Sequence, residues 1–575
     1  MMAVFWWGLM VSAGVGQMTE QWISVYDGPV VEDIGSNDRL LDMVIDDAGN
    51  VYAVGLGVDT LQTDASYHSD IITVKFGKDG NLLWYAAYDG TPINEGSSDD
   101  RGNVIALDSQ GNVIVAGRTV YEGENGGQFN RLIVIMYTSS GDTAWTRTYD
   151  SYDRGDADFR GRDEGVKVLV DGQDNIYVGG TSYQGGANFH SDDFILLKFN
   201  AIGQEQWVQK FDVSNGTGTS MDRLVDMEMG PQDHVILTGT TTANFNTDYY
   251  TLKYGADGSL KWHVGYDSPL PASSDVDEPA AVDVDANGDI FVTGYSESDS
   301  TGKDIVTIKY GQQGQLNWVV RYDNELGNLN DSDFASDLVV NDEGQVYVIG
   351  YSNNNIDTYK WDYITIKYDG SGDTLWTRRF NHKKAHDVSK KVILDSQENV
   401  FVTGTSALNS SNSDFQNATV IYNSGGDSVG FMHTTGISNA TPAAMDMDAT
   451  GNLYIGGTQE LSSSANMTVV KYGTTITDIP AQPEELLPVS FNLEPNYPNP
   501  FNPATTIRFE LPQSSRVTLT VYDVLGQKIQ TLVNRRMSAG RHHARFNAGD
   551  LSSGIYLYVL ESDGRQLVRK MLLLK

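Results

Sequence analysis

Short apolar runs separated by Asp, Asn and Gly recur along most of this chain, and they come in groups of four. One group reads as an alternating run at Ala281–Val284, then Ile290–Gly294, Ile305–Tyr310 and Leu316–Tyr322. The β-branched and aromatic content of these runs and the polar turns between them predict strands. The clearest marker is a hairpin, an apolar strand, an Asp/Gly/Asn turn and an apolar strand ending in Gly, as in Asp46–Gly55 and Asp108–Gly117. Eight copies end at Gly55, Gly117, Gly180, Gly239, Gly294, Gly350, Gly404 and Gly457, spaced 53 to 63 residues apart. A steady period of this size signals a propeller, solenoid or array, and four antiparallel strands per repeat describe a propeller blade.

A second register places a Trp four residues after a Gly: Gly80-Trp84, Gly141-Trp145, Gly203-Trp207, Gly258-Trp262, Gly314-Trp318 and Gly372-Trp376. Trp22 carries the back half of this unit without the front half. First, second and third strands occur eight times, and the last third strand is Met467–Tyr472, but only seven fourth strands follow them. Pairing the Trp22 strand with 467–472 completes an eighth blade and removes exposed sheet edges. The predicted fold is all-β, an eight-bladed β-propeller closed by the N-terminal strand, followed by a small C-terminal β-sandwich. The Trp register reads as packing between blades, because a ligand platform would not need a copy in every blade. The seventh unit has Gly430 in place of Trp, so one wedge is expected to pack differently.

The Asp-x-x-Gly-Asn-Val-Tyr-Val-Thr-Gly core, the strand Asp304–Tyr310 and Gly-x-x-x-Trp together resemble a family of bacterial beta-propeller repeat proteins (SBBP-like repeats) over roughly 18–475. That resemblance implies a propeller on secreted or surface proteins, and no single activity.

Eleven residues before the turn Gly or its substitute an Asp recurs: Asp38, Asp100, Asp163, Asp222, Asp277, Asp333 and Asp387, with Ala440 in the eighth unit. Each stands just ahead of a first strand, the innermost in a propeller, so the set is expected to circle the channel mouth. Two readings stay open. Asp oxygens cap backbone N–H groups in the incoming loop, or the carboxylates form a ring that attracts a hard cation such as calcium. Asp283–Asp289 begins like a calcium loop, but position 12 is Gly294 rather than Glu, which excludes an EF-hand.

Composition narrows the rest. The formal net charge is -37, which disfavours nucleic acid and anionic lipid as partners. The absence of cysteine excludes disulfides and thiolate metal sites. Neither His-Glu-x-x-His, Gly-x-Ser-x-Gly, a P-loop nor a dinucleotide fingerprint is present, and His382 and His386 fall in strand and loop context. Gly-x-x-x-Trp also resembles the eight-bladed quinoprotein dehydrogenases, whose vicinal cysteine disulfide has no counterpart here. Residues 1–17 are apolar and then small, which reads as a secretory signal segment, although it lacks the basic start of one. No later stretch is apolar enough to span a membrane.

Charge balance shifts toward the end: 496–575 carries 11 Lys and Arg against 5 Asp and Glu. A polar, Pro-bearing linker at 476–495 precedes it. Strands are expected at Thr506–Leu511, Val517–Asp523, Gly554–Leu560 and Leu567–Leu574. Asn496–Pro503, Val521–Lys528, Ala539-Gly540, Ser553–Tyr556 and Lys570-Met571 closely resemble the type A C-terminal sorting domain of type IX (Por) secretion substrates. The resemblance implies Sec export, recognition of the tail at the outer membrane, and surface attachment or release. Gly526, Gly540, Gly554, Tyr556 and Lys570 carry it. The expectation is a secreted or outer-membrane surface protein, monomeric, whose propeller binds a surface glycan or protein through loops such as Gly57–Ser69, Val120–Phe129 and Tyr183–His190. The competing class is an enzyme, a hydrolase or quinoprotein acting at the channel mouth.

Overall fold

The computed structural model describes residues 18–574 apart from 29–36, 59–68, 91–98, 123–127, 152–161, 187–188, 214–219, 244–245, 269–275, 299–301, 325–331, 354–359, 383–385, 408–414, 463, 475–490, 494, 497–498, 512–514, 538–539, 550 and 563. The signal segment and most of the linker therefore lie outside the described residues. So do much of 57–69, 123–127 and 187–188 in the candidate loops, and what is described of Tyr183–His190 is strand.

The chain divides into two compact units, Met1–Ile476 and Thr477–Lys575. In the first, four-stranded antiparallel blades follow one another, with blades 3 and 4 joined into one sheet by a parallel pair, Asp192 with Met221. Blade 1 is Arg39–Ile45, Val51–Gly57, Asp70–Phe76 and Leu82–Tyr88. Blades 2 to 7 repeat this plan, with first strands at Arg101–Leu107, Glu164–Val170, Met221–Gly230, Asp277–Val284, Asp333–Val340 and Asp387–Leu394. Blade 8 takes Ala440–Met447, Leu453–Glu460 and Ala465–Thr474, and its outer strand is Met18–Tyr26. Ile23 pairs with Val470 and Tyr26 with Met467 in that closing ladder. Each first strand packs on the first strands of both neighbouring blades, and blade 8 returns to blade 1. The all-β ring of eight blades is thus complete.

The repeated residues explain why the blades recur. The Asp of each hairpin turn bonds its own loop: Asp46 Oδ1 accepts the N–H groups of Ala48 and Asn50 at 3.0 and 2.8 Å, and Gly49 takes φ +79° between them. Asx turns of this kind set the register of the strands they join. The Tyr that follows bonds the same carboxylate, as Tyr52 and Tyr454 do at 3.1 and 3.0 Å. A third-strand Lys lies over that ring, Lys75 over Tyr52 at 4.6 Å and Lys471 over Tyr454 at 4.9 Å. Between blades, Val, Ile and Leu of facing sheets form the apolar layers, for example Val54, Ile71, Ile105, Val115, Ile133 and Ile135.

The Trp register packs blade against blade, as its repetition predicts. Each ring faces the Gly of the next blade's Gly-x-x-x-Trp unit. A Cβ on Gly141 would stand 2.8 Å from Trp84, and one on Gly314 2.8 Å from Trp262. The wedge lacking Trp is reversed. Gly430 stands at the Trp position of blade 7, and Met18 takes the place of Gly in the outer strand of blade 8. Met18 is buried there among Ile421, Met432 and Ile437.

The second unit holds two sheets. One orders Asn492–Leu493, Ala504–Leu511 and Gly540–Asn547; the other orders Lys528–Met537, Ser515–Asp523, Gly554–Ser562 and Arg565–Leu573. Ile507, Phe509, Val517, Leu519, Tyr558 and Leu560 belong to its apolar core. The strands Lys528–Met537 and Gly540–Asn547 go beyond those expected from the sequence.

Candidate functional site

The recurring aspartates are fully buried, and each closes one junction between blades. Asp100 accepts the N–H of Gly90 and of Val120, both at 2.7 Å. Asp163 holds Ser151 N–H at 2.9 Å and Tyr183 N–H at 3.1 Å. Asp38 takes Gly28 N–H, Asp222 Val213 N–H, Asp277 Ser268 N–H, Asp333 Asn324 N–H and Asp387 His382 N–H, at 2.7 to 3.0 Å. In all seven, one donor is the residue two past the preceding fourth strand, so one carboxylate ties the exit of a blade to the entry of the next. Burial pushes Asp100, Asp163, Asp222 and Asp387 upward, Asp222 to about 6 and Asp387 to about 7, against the hydrogen bonds they accept. The seven stand at seven separate junctions and do not converge on one another. Four junctions add two further carboxylates: Asp70, Asp89 and Asp100; Asp193, Asp212 and Asp222; Asp248, Asp267 and Asp277; Asp304, Asp323 and Asp333.

Groups that face one another around the axis come from within the first strands. Lys167 pairs with Asp226 at 2.8 Å and Lys391 with Asp337 at 3.6 Å. The Lys167 ammonium is held well above its usual range by Asp226, with Asp42 and Asp337 adding to it from other blades. Burial raises Glu228 to about 7 and Asp283 to about 6, helped by the neighbouring carboxylates. Several of these carboxylates also brace the ring. Asp42 accepts Ile105 N–H, Asp226 Val282 N–H, Asp337 Val392 N–H and Asp283 Val340 N–H, each in the next blade, at 2.7 to 3.1 Å.

A different cluster is partly exposed. Trp361 lies outside the Trp register and edges onto Tyr351 at 5.3 Å between centroids and 88° between planes. Phe334 stacks on Tyr351 at 5.2 Å and meets Trp361 at 5.6 Å and Tyr295 at 5.0 Å. Lys303 sits over Tyr295 at 4.5 Å. These side chains gather where blades 5 and 6 turn from second to third strand. Sequence reasoning missed them, and the available signal was a Trp out of register.

In the second unit the sorting residues scatter. Gly526 takes φ +78° in the Asp523–Gln527 turn, beside Leu525, which is 80% exposed. Gly540 starts a strand opposite Leu511. Tyr556 is buried and donates its hydroxyl to Ser552 C=O at 2.8 Å. Gly554 opens the strand that carries Tyr556, and Lys570 pairs with Leu557 on it. Lys570 also lines a pocket with Asn499, Pro500, Ile555, Met571 and Leu572.

Residues 496–574 match the family model of the secretion system C-terminal sorting domain. No curated protein sequence matches the chain. Among solved structures it is similar to PorZ, a surface component of the type-IX secretion system of Porphyromonas gingivalis, at 10% identity over 93% of this chain and 81% of that one, TM-score 0.31. It is also similar to the polysaccharide lyase Uly1 (9%, 68% and 92%, TM-score 0.41) and to the WD40 domain of SCAP from fission yeast (11%, 79% and 98%, TM-score 0.35). The C-terminal match makes this a protein secreted or attached at the outer-membrane surface, with a tail that engages the type IX machinery. Among the described residues no helix is long and apolar enough to cross a membrane.

Proposed function

We propose that the propeller is a surface-displayed binding module and that its ligand is a glycan held on the aromatic cluster of blades 5 and 6. The observation that carries this reading is Trp361 with Phe334, Tyr351 and Tyr295. These four rings are partly exposed at one end of the blades, outside the positions that packing repeats in every blade. Aromatic faces stack on the C–H faces of sugar rings with little entropy to lose. Lys303 and Glu278, beside Tyr295, supply polar groups that fix orientation, as ligand sites generally require. A glycan array probed with the purified full chain tests it. Trp361→Ala is expected to lower binding at least about tenfold, the loss of a stacking contact of ~1.5 kcal/mol, with an unchanged melting temperature. Retention of full binding by that variant overturns the assignment.

A second reading, a hydrolase using the channel, is favoured by Glu228 and Asp283, whose carboxyls are raised into the range of an acid catalyst. Cleavage of an array glycan that is abolished by Glu228→Gln, with Trp361→Ala still active, would establish it instead.

A further inference from the structure

The junction between blades 3 and 4 holds a buried carboxylate with no hydrogen-bond donor on either oxygen. Three carboxylates meet there: Asp193 from the third strand of blade 3, Asp212 just after its fourth strand, and Asp222 from the first strand of blade 4. One oxygen from each lies within 4.8 Å of the others. Asp193 is fully buried, and both of its carboxylate oxygens lack a hydrogen-bond partner. A buried carboxylate without donors is costly, and two carboxylates beside it add repulsion.

Some junctions meet the same problem with a guanidinium, while Ala87 and Gly265 hold the corresponding ladder position in blades 1 and 4. In blade 5, Arg321 pairs with Asp304, and in blade 6, Arg379 pairs with Asp362 at 3.4 Å. In blade 2 the third-strand position is Arg131 itself, bonded to Asp150 at 2.9 Å. By ladder register Lys210 occupies the place of Arg321 and Arg379 in blade 3. Its ammonium lies 5.5 Å from the Tyr149 ring centroid in blade 2, so it brings positive charge nearby without satisfying either Asp193 oxygen.

We propose that Asp193, Asp212 and Asp222 bind a calcium ion that locks blade 3 to blade 4. The ligand atoms are all oxygen, which selects a hard cation. Their spacing suits it as well. Oxygens on a shell about 2.4 Å from a central ion stand at most about 4.8 Å apart, and calcium tolerates irregular shells completed by water. Ser220 adds a hydroxyl at the same point, bonded to Asp212 at 3.2 Å and to Asp222 at 3.3 Å. The three carboxylates come from pieces of two blades, so the ion ties together what the ring must keep closed. Millimolar calcium outside the cell suits an affinity of about 0.1–1 mM, the range of extracellular modules.

The test uses the full chain dialysed against chelator, then melted in excess chelator and in saturating CaCl2 or MgCl2. The wild type is expected to gain about 3 °C in calcium at about 100 times Kd, and less in magnesium. Asp193→Asn is expected to lose that gain while melting at or above the wild type in chelator, because the substitution removes a buried charge from among carboxylates. Asp212→Asn, partly exposed and therefore milder on folding, is expected to lose it too. The same calcium-dependent gain in wild type and both variants overturns the site. So does a wild type indifferent to calcium. An equal gain in magnesium overturns calcium as its occupant.

Discussion

Trp22 donates its indole N–H to the carbonyl oxygen of Lys78 at 3.0 Å, across 56 residues of sequence, and so fastens blade 8 to blade 1. Lys471 on the neighbouring strand reaches the same oxygen at 3.4 Å. The arrangement repeats: Trp84 and Lys75 share the carbonyl of Ser139, and Trp262 and Lys253 share that of Gln312. Blades 5 and 6 do the same through Trp318 and Trp376, whereas the Trp145 N–H of blade 2 has no partner, and in each of these wedges the Gly two residues on lies against the Trp ring. The closing junction uses the same parts as the internal ones.

Removing the closing strand should therefore cost as much as removing the outer strand of any blade. Deleting 18–28 exposes the ladder edge of Ala465–Thr474 and uncovers Met467 and Val469. The expected outcome is aggregation or a melting temperature lowered by more than 10 °C, on the order of a lost strand and its core contacts. Trp22→Ala alone should cost about 3 kcal/mol in urea unfolding. Gly80→Val should cost a similar amount, since Gly80 has φ +83° and a Cβ there would stand 2.8 Å from the Trp22 ring.

Ring closure was legible because Trp22 and Gly80 belong to a strict period, and counting strands needs no coordinates. The aspartates ahead of each first strand were legible as positions, but their task was not. The N–H groups that Asp100 holds belong to Gly90 and Val120, and nothing in local sequence says that these meet. Lys528–Met537 escaped the pattern for another reason. It carries Lys, Gln, Asn and Arg and is largely exposed, so it lacks the alternation that betrays a half-buried strand. Asp193 looks like any other Asp of an acidic chain until its neighbours are known.

The capping role of the aspartates makes a stability prediction. Asp100→Ala leaves the N–H groups of Gly90 and Val120 buried without acceptors. The expected loss is about 3 kcal/mol, from two orphaned donors. Chemical denaturation checks it. A change under about 0.5 kcal/mol would show that the cap is dispensable.

The channel carboxylates predict how stability varies with pH. Glu228 and Asp283 have folded-state values of about 7 and about 6, above the ordinary carboxylate values of 4.5 and 3.8. Protonation is therefore favoured in the folded state, and the stabilisation is complete below the unfolded values and lost as pH rises through the folded ones. In excess chelator the propeller should melt higher at pH 5 than at pH 8. Glu228→Gln should flatten that dependence by about 2 kcal/mol across the window, most of it between pH 5 and 7. A pH profile unchanged by the substitution would show that Glu228 is not the titrating group.

The tail makes the last prediction, and its two kinds of residue separate folding from recognition. Tyr556 is buried between the ladder partners Asp523 and Met571, so Tyr556→Ala should unfold the second unit and block export. Leu525 and Lys570 lie at the surface and hold no part of the core, so Leu525→Ser and Lys570→Ala should leave the unit folded. If the exposed turn and the Lys570 pocket are what the type IX machinery reads, these variants should accumulate in the periplasm with a normal melting curve. Deleting 496–575 should also trap the protein there, with the propeller still folded, because the eight blades close without it. Fractionation with limited proteolysis distinguishes the cases. Surface delivery of the truncated chain would remove the tail as the address. Delivery of the two surface variants at the wild-type level would move the recognition surface elsewhere on the same unit.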